Sequence, residues 1–256
     1  MPLTDKQLER YSRHINVHEF GVEGQEKLIN SKVLVIGTGA LGSPAIMYLA
    51  AAGIGTLGLC DADTVDFSNL QRQIIHHTAD VGKLKTSSAL EKVNAINPEV
   101  KVNIHNALVN DANIDGIISG YDFVLDCTDN FEAKFLINDE CVRNNKPFCH
   151  GAVIRFSGQV MTYVPGKGPC YRCVFGEPPK KDSLPANRSL GVLGPLPGII
   201  GSLQALECIK YLTGTGELLV GRIFTLDGLT MQSKVRVLPL NEDCPVCGTL
   251  RQAGQR

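Results

Sequence analysis

The stretch VLVIGTGALGSPAIMYLAAAGIG, residues 33–55, decides the fold of this 256-residue chain. It begins with four apolar residues, 33–36, which is typical of a parallel strand buried on both faces. Three glycines then fit the pattern G-x-G-x-x-G, and a helix rich in small residues follows. These glycines are Gly37, Gly39 and Gly42. Backbone N–H groups from Ala40 onward would point at an anion at the helix N-terminus, so the stretch predicts a nucleotide-binding unit.

A second strand and an acid follow at a spacing that supports this prediction. Residues 56–60 form another apolar strand, and Asp61 comes directly after it, 24 positions beyond Gly37. In dinucleotide-binding folds an acid at about this distance binds the ribose. A glycine turn without a ligand is the alternative, but strand, helix and acid together favour a nucleotide. None of these features distinguishes NAD from ATP.

Composition and charge limit the partners and the compartment. The formal net charge is −1 and no basic block stands out, so nucleic acid is not an expected partner. Residues 1–15 are polar and helix-like, with a Thr4/Gln7 capping box, and we expect neither a secretory signal nor a membrane span. Nine cysteines in such a chain indicate a reducing compartment and thiol or metal chemistry. We therefore expect a cytoplasmic protein without membrane partners.

Helices and strands alternate through the first 150 residues, and the pattern changes after residue 155. The predicted helices cover 4–15, 21–30, 40–52, 83–96, 112–119, 131–144 and 199–212. The predicted strands cover 33–37, 56–60, 101–105, 122–126, 147–153, 158–164, 221–226 and 231–238. Between the last long helix and the strand before it lies a Gly/Pro-rich loop, 166–198, of a length that is usually functional. The pattern predicts an α/β fold with a doubly wound, Rossmann-like, mostly parallel sheet that ends in antiparallel strands.

Two C-x-x-C pairs occur late in the chain. Their four cysteines are Cys170, Cys173, Cys244 and Cys247. Four thiolates in two such pairs suit tetrahedral zinc, provided that the fold brings the pairs together. A redox C-x-x-C is the alternative, but both pairs lie in Pro/Gly-rich loops, which favours a structural metal site.

A polar segment, SNLQRQ, extends from Ser68 to Gln73 shortly after the acid of the nucleotide motif. Asn69, Arg72 and Gln73 on an irregular turn could bind phosphates, and Lys85 at the start of the next helix could reach the same anions. NAD carries two phosphates that the glycine turn already serves, so additional cations favour a triphosphate. The alternative is that Arg72 and Lys85 are solvated surface charges.

The segment VLDCTDN, residues 124–130, ends an apolar strand at the edge where doubly wound sheets bind ligands. Asp126 or Asp129 could hold magnesium together with substrate phosphates, and we favour Asp129. Either aspartate could instead cap the helix that follows.

The N-terminal segment YSRHI contains Arg13, four positions after Glu9. On spacing alone a helical ion pair between these two side chains explains Arg13.

Taken in order, seven segments resemble the ThiF/MoeB/HesA family of bacterial relatives of ubiquitin-activating enzymes. They are YSRHI, VLVIGTGALGSP, DADTVDFSNLQRQ, VLDCTDN, CYRC, GIIGSLQALECIKYL and CPVC. The resemblance covers residues 5–250, and the combined set of motifs is specific. It implies one adenylyltransferase domain over 1–256, with N-terminal helices in 1–30 and a nucleotide-binding half in 31–155. A carrier-binding half would occupy 156–250, including a crossover loop, 175–197, and the zinc site.

The resemblance also implies an activity. Members of the family use ATP and magnesium to join AMP to the C-terminal glycine carboxylate of a ubiquitin-like sulfur carrier, and they release pyrophosphate. The pathway would be thiamine or molybdopterin biosynthesis, and the enzyme would be a homodimer. No general base is needed, because a carboxylate is already ionised at neutral pH.

The family's functional residues fall on matching positions of this sequence. The candidate catalytic residues are Arg13, Arg72, Lys85 and Asp129, with Arg13 reaching into the partner subunit's site and Asp129 binding magnesium. The candidate nucleotide-binding residues are Gly37, Gly39, Ala40, Gly42, Asp61, Ser68, Asn69, Arg72, Gln73, Lys85, Asp129 and Asn130. The four paired cysteines match the zinc ligands. Arg13 therefore has a functional interpretation beside the helical ion pair.

One position departs from the family pattern. Many members carry a cysteine in the loop where this chain has Asn187, and residues 175–197 contain no cysteine. Asparagine cannot form a thioester or a persulfide-linked intermediate, since such a step needs a thiolate. We therefore expect adenylylation without a covalent sulfur intermediate at this loop.

Three alternatives stay open at this point. The substrate could be another carboxylate, at a peptide terminus or on a small acid of a cofactor pathway. An NAD-dependent oxidoreductase is a second alternative, which the cation cluster and the paired cysteines disfavour. A non-catalytic nucleotide-binding scaffold is the third, and the presence of Arg72, Lys85 and Asp129 argues against it.

Overall fold

A computed structural model describes residues 2–179 and 191–248 of the chain. Asn187, the position at which the sequence departs from the family pattern, lies outside these residues. Within the described ranges the chain forms one eight-stranded sheet with helices on both faces.

The sheet has the strand order β3-β2-β1-β4-β5-β6-β7-β8. Its strands are β1 (Lys32–Ile36), β2 (Thr56–Cys60), β3 (Lys101–His105), β4 (Phe123–Asp126), β5 (Phe148–Ile154), β6 (Ser157–Tyr163), β7 (Arg222–Asp227) and β8 (Gln232–Val237). The pairs among β1 to β5 are parallel, and β6, β7 and β8 pair antiparallel. This arrangement confirms the predicted fold class.

Helices cover the two faces of the sheet. They are α1 (Asp5–Arg10), α2 (Ser12–Ile15), α3 (Gly21–Asn30), α4 (Gly42–Ala52), α5 (Lys85–Ile96), α6 (Ile114–Ile118), α7 (Phe131–Arg143), α8 (Tyr171–Phe175) and α9 (Pro195–Thr213). One apolar core joins α3, α4, α5 and α9 to one face, and a second joins α6, α7 and α8 to the other. Successive residues of β1 alternate between these cores, because side chains of a strand point to opposite faces. A buried strand between two helical layers explains the continuous apolar run at 33–36.

The prediction of a single helix over 4–15 is wrong, because the helix is interrupted at Tyr11. Tyr11 leaves helical geometry at φ −99° and ψ 12°, and its side chain is buried. Its hydroxyl accepts a hydrogen bond from Asn97 Nδ2 at 2.8 Å. The predicted capping box of Thr4 and Gln7 is present at the start of α1.

The predicted loop 166–198 contains helical residues at both ends of its described parts. The short helix α8 begins directly after Cys170, and α9 begins at Pro195, four residues before the predicted start. Proline suits the first turn of a helix, since its missing N–H would have no partner there. In the described part of the chain no helix is both long and apolar enough to cross a membrane.

We predict that alanine substitutions at two helical glycines have different effects on stability. A Cβ on Gly42 would lie 2.1 Å from the backbone oxygen of Gly37, whereas a Cβ on Gly116 would meet nothing within 4 Å. Gly42→Ala should therefore lower the free energy of unfolding by about 1–3 kcal/mol. The matched control Gly116→Ala should be neutral or stabilising by about 0.5–1 kcal/mol. Urea unfolding of both variants measures this difference, and equal stabilities would contradict the close approach of α4 to the turn.

Candidate active site

The glycine-rich turn lies at the carboxyl end of β1, between the ends of β2 and β4. Gly37 N donates to Cys60 O at 2.8 Å, and Cys127 N donates to Ile36 O at 2.9 Å. Gly37 has φ +95°, and a Cβ there would lie 2.6 Å from Cys127 O. Glycine is required here because a side chain would be strained and would collide with the backbone that follows β4. The turn is thereby placed next to the segment that carries Asp129.

Asp61 fixes the middle of the turn. Its Oδ2 accepts hydrogen bonds from Thr38 N at 2.8 Å and from Thr38 Oγ1 at 3.0 Å. Its Oδ1 accepts from Asp63 N at 2.9 Å, and a carboxylate oxygen can accept a further bond. Asp61 therefore orders the turn, a role that the sequence analysis did not assign to it, and it keeps acceptor capacity at Oδ1.

The side chains of Ser68 and Asn69 shape the turn that precedes Arg72. Ser68 N and Ser68 Oγ donate to Asp66 Oδ1 at 2.8 and 2.5 Å, and Asn69 Oδ1 accepts from Asp66 N at 3.3 Å. The guanidinium of Arg72 donates to Ser68 O at 3.1 Å. These bonds stabilise a single 3₁₀ turn, Phe67–Asn69, which sets the positions from which the side chains of Arg72 and Gln73 extend.

Gln73 places a buried amide over the glycine turn. The residue is only 6% exposed, and a Cβ on Gly39 would lie 3.2 Å from its Nε2. Among the residues that the structure describes, its Oε1 is buried without a hydrogen-bond partner. Because such an atom is costly in a native protein, the amide is placed to meet a ligand.

Lys85 is not a solvated surface charge. Its side chain is 8% exposed, and Nζ lies 2.7 Å from Asp63 Oδ2. The backbone of Lys85 also donates to Asp63 O at 3.0 Å, which ties the start of α5 to the segment after Asp61. A buried ammonium held by an exposed carboxylate can turn to an anionic ligand at this edge.

Asp126 and Asp129 have different environments. Asp126 is buried and accepts from Lys134 Nζ at 3.2 Å and from Thr128 Oγ1 at 2.6 Å. Burial alone would raise the pKa of Asp126, but Lys134 and the hydrogen bond from His150 hold that pKa below its usual range. Asp129 is exposed. Asp126 therefore supports the structure, whereas Asp129 is accessible to a ligand.

Neither aspartate caps the helix that follows, so that alternative is wrong. Asn130 is the N-cap of α7, and its Oδ1 accepts from Ala133 N at 2.8 Å. Asn is among the residues that N-caps favour. The cap holds the segment after β4 beside the glycine turn.

His150 connects this edge of the sheet to the short helix α8. Its Nδ1 lies 2.9 Å from Asp126 Oδ2, and its ring packs on Tyr171 with centroids 4.7 Å apart. Burial and the nearby Lys134 lower the pKa of His150 to about 4, so the ring is neutral at neutral pH. The roles of His150 and Lys134 could not be predicted from the sequence, since neither residue belongs to a recognised motif.

Arg13 lies far from the glycine turn of its own chain. Its neighbour Tyr11 packs against Gly53, which caps the C-terminal end of α4. The glycine turn lies at the N-terminal end of α4. This helix has 11 residues with a rise of about 1.5 Å each, so its two ends are about 16 Å apart. Arg13 is exposed and does not form the ion pair with Glu9 that the spacing allowed. The structure thus brings the other candidate residues to one edge and leaves Arg13 at the opposite one.

The four paired cysteines lie close together, where α8 meets the last residues of the described chain. Their sulfurs all lie within 4.8 Å of one another. Cys170 Sγ is 3.7 Å from Cys244 Sγ, and Cys173 Sγ is 3.3 Å from Cys247 Sγ. A tetrahedral site with Zn–S bonds of about 2.3 Å has sulfurs about 3.8 Å apart, so the donor set fits a metal ion such as zinc. The convergence of both pairs in one cluster favours a metal site over two separate redox pairs.

Comparisons with known proteins identify the family. A family model described as the ThiF family matches residues 11–247. The SAMP-activating enzyme E1 of Haloferax volcanii is 46% identical over 248 residues, 97% of this chain and 92% of that protein. The adenylyltransferase and sulfurtransferase MOCS3 of Drosophila sechellia is 44% identical over 246 residues, 96% of this chain and 54% of that protein. This chain belongs to the ThiF family.

Solved structures share the fold. E. coli MccB with AMPCPP and MccA superposes with a TM-score of 0.84 at 25% identity, over 96% of this chain and 75% of that one. The microcin C7 biosynthetic enzyme MccB in complex with N-formylated MccA gives a TM-score of 0.84 at 26% identity, over 93% of this chain and 75% of that one.

We predict that the four-cysteine cluster binds metal and stabilises the fold. Cys173→Ser or Cys247→Ser should abolish stoichiometric metal binding and lower the melting temperature by several degrees, because a metal site joins two segments that are distant in the chain. The matched control Cys208→Ala alters a buried thiol in α9 and should retain the metal. Elemental analysis and thermal unfolding measure both effects. A metal-free wild-type protein with an unchanged melting temperature after chelation would contradict the assignment.

Proposed function

We propose that this chain is an ATP- and magnesium-dependent adenylyltransferase that activates the C-terminal glycine carboxylate of a ubiquitin-like sulfur carrier. One observation carries the proposal: in a ThiF-family chain, the glycine turn, the buried amide of Gln73 and the buried ammonium of Lys85 meet at one edge of the sheet. The relatives named as a SAMP-activating E1 and as MOCS3 adenylyltransferase support it. The pathway is thiamine or molybdopterin biosynthesis.

The residue types suit this reaction. The carrier carboxylate attacks the α-phosphorus of ATP, the bond to the bridging oxygen breaks, and pyrophosphate leaves. Negative charge grows on phosphate oxygens, and fixed cations stabilise it. Arg72 and Lys85 supply those cations, while the amides of Gly39 and Ala40 face the phosphates. Asp61 Oδ1 accepts from the ribose.

Asp129 is the residue that would hold magnesium. Magnesium prefers one or two carboxylates together with substrate phosphates, and the exposed carboxylate after β4 lies on the segment that touches Gly37. A bound magnesium ion neutralises charge on the phosphates during transfer. Ser68, Asn69 and Asn130 shape the surrounding turns and complete the proposed nucleotide-binding set.

The same geometry disfavours the alternatives from other classes. In an oxidoreductase the glycine turn already binds the two phosphates of NAD. A further buried cation such as Lys85 would then have no phosphate to bind. A binding scaffold has no need of an accessible carboxylate beside the phosphates. Both alternatives therefore leave Lys85 and Asp129 unexplained.

A second substrate class has one observation in its favour. The MccB structures contain MccA, which is N-formylated in one complex and selenomethionine-labelled in another and is therefore a polypeptide. The fold thus also suits the terminus of a peptide that is not a folded carrier. The 46% identity to the SAMP-activating E1, against 26% to MccB, makes the carrier the favoured substrate.

The enzyme is a homodimer in this proposal. An apolar groove of about 550 Å³ lies between α4 and α9, and Tyr48, Ile74 and Leu206 in it are at least half exposed. A second copy that packs on this groove antiparallel buries these side chains and brings the two ends of α4 together across the dimer. The partner's α2 then approaches the glycine turn. This arrangement accounts for Arg13, which cannot reach the glycine turn of its own chain.

The four cysteines bind zinc in this proposal and attach the carrier-binding half, residues 156–250, to the rest of the chain. Nine cysteines without a disulfide support a cytoplasmic enzyme.

We predict that ATP–pyrophosphate exchange requires the carrier and Asp129. Wild-type protein with ATP, magnesium and a carrier that ends in Gly-Gly should exchange labelled pyrophosphate into ATP. Asp129→Asn keeps the side-chain size but loses the charge, and should lower the rate about 100-fold or more. The control Asp111→Ala removes an exposed acid from the loop after β3, the outermost strand of the sheet, and should change little.

Two outcomes would contradict this prediction. Normal exchange by Asp129→Asn would remove the magnesium assignment. Exchange with a short unfolded peptide but not with the carrier would favour the second substrate class instead.

We predict that Arg13 acts in trans. Arg13→Ala and Arg72→Ala homodimers should both be inactive, because each lacks a cation in every site. Subunits mixed in equal amounts should regain about one quarter of the wild-type rate, since half of the dimers are mixed and each has one intact site. The measurement is exchange activity after dissociation and reassociation, with heterodimers quantified by native mass spectrometry. Heterodimers without activity would place Arg13 outside the partner's site.

A further inference from the structure

Thr38, the residue between the first two glycines of the turn, is held from both sides. It is fully buried, and its N–H and hydroxyl both donate to Asp61. Its carbonyl oxygen lies 3.0 Å from His76 Nε2. The two peptide groups that flank Thr38 are therefore fixed, the one before it by an acid and the one after it by a histidine.

The surroundings of His76 fix the orientation of its ring. The residue is 4% exposed, and its Nδ1 lies 2.9 Å from Ser88 Oγ on α5. A carbonyl oxygen only accepts hydrogen bonds, so Nε2 carries the hydrogen and donates it to Thr38. Burial lowers the pKa of His76, and the Ser88 hydroxyl beside Nδ1 also donates to Asp80 Oδ2 at 2.9 Å.

The bond from His76 determines the direction of a second group. A peptide unit is planar and trans, so the C=O of Thr38 and the N–H of Gly39 point in opposite directions. Because His76 holds the Thr38 oxygen on one side of the turn, the Gly39 N–H points to the opposite side. In residues 2–179 and 191–248 this N–H has no backbone or side-chain acceptor.

We propose that His76 is a positioning residue for nucleotide binding, which aims the Gly39 amide at an ATP phosphate by holding the other end of the same peptide unit. The proposal rests on the proposed function for the identity of the ligand. His76 touches neither the phosphates nor the reacting atoms. It acts through the turn, and it ties the turn to the segment that carries Gln73, whose amide lies close to Gly39.

Two amide substitutions separate this role from general structural support. In His76→Gln the side-chain amide occupies the place of Nε2 and still donates to Thr38. In His76→Asn the amide occupies the place of Nδ1, so only the contact with Ser88 remains. Both variants lose the imidazole ring, which makes them matched for the loss of packing. The exposed neighbour provides a control, His77→Gln.

The experiment is isothermal calorimetry with the α,β-methylene analogue of ATP and, separately, with adenosine. His76→Asn should weaken binding of the analogue about tenfold, because the turn loses the bond that orients the amide. His76→Gln should bind within about threefold of wild type, and His77→Gln should match wild type. Adenosine, which has no phosphate, should bind all four proteins equally.

Each contrary outcome has a distinct meaning. Unchanged binding of the analogue by His76→Asn would overturn the proposal, and so would equal weakening of analogue and adenosine, which indicates a merely structural role. Equal losses in His76→Gln and His76→Asn would also overturn it, because the donor to Thr38 would then be irrelevant. Wild-type protein that binds adenosine but not the analogue would instead contradict the proposed function.

Discussion

The turn between β1 and α4 must reverse the chain within a few residues and still present N–H groups outward, and the rest of the site depends on that constraint. Glycine at positions 37 and 42 makes the reversal possible, since a Cβ at either one would collide with backbone oxygen. Asp61 and His76 then fix Thr38, the residue between Gly37 and Gly39, at both ends. A turn ordered in advance does not have to be ordered at the moment of binding, which reduces the entropic cost of holding a phosphate. Arg72 and Gln73 lie between Asp61 and His76 in the chain, and Lys85 follows His76. Asp61 and His76 therefore also help to position the three side chains.

A second buried network attaches the carboxyl-terminal half to this site. Asp126 sits at the end of β4 with Lys134 and His150, and His150 packs on Tyr171 of α8. Cys170, the N-cap of this helix, and Cys173, within it, take part in the four-sulfur cluster. A buried ion pair adds little to stability when it is complete, but losing one partner is costly. The network therefore serves to keep the edge that carries Asp129 and the metal-binding segment in one arrangement.

Periodicity and chemistry made much of this structure predictable. The predicted boundaries of α3, β2 and β3 agree with the structure, because their apolar patterns end at glycine, proline or polar residues. The convergence of the cysteine pairs was predictable from the preference of metals for four thiolates. The break at Tyr11 was not, because it depends on a contact with Asn97, which is distant in the chain.

The positioning residues of the site were beyond reach for a similar reason. Thr38 and His76 belong to no motif that predicts their role, and only the folded chain brings them together. The helix α9 was placed too late because Pro195 lies in a run of Gly and Pro that resembles a loop. Residues whose chemistry is local can be identified from sequence, whereas residues that act by holding a neighbour require the structure.

The most direct measurement follows the α-phosphate of ATP. The protein is incubated with magnesium, ATP labelled at the α-phosphorus and a carrier that ends in Gly-Gly, and the carrier is analysed by intact mass spectrometry. The account predicts that the label moves to the carrier as an acyl-adenylate while unlabelled pyrophosphate is released. Release of labelled ADP, with no nucleotide on the carrier, would show cleavage at the γ-phosphate and would contradict carboxylate adenylylation.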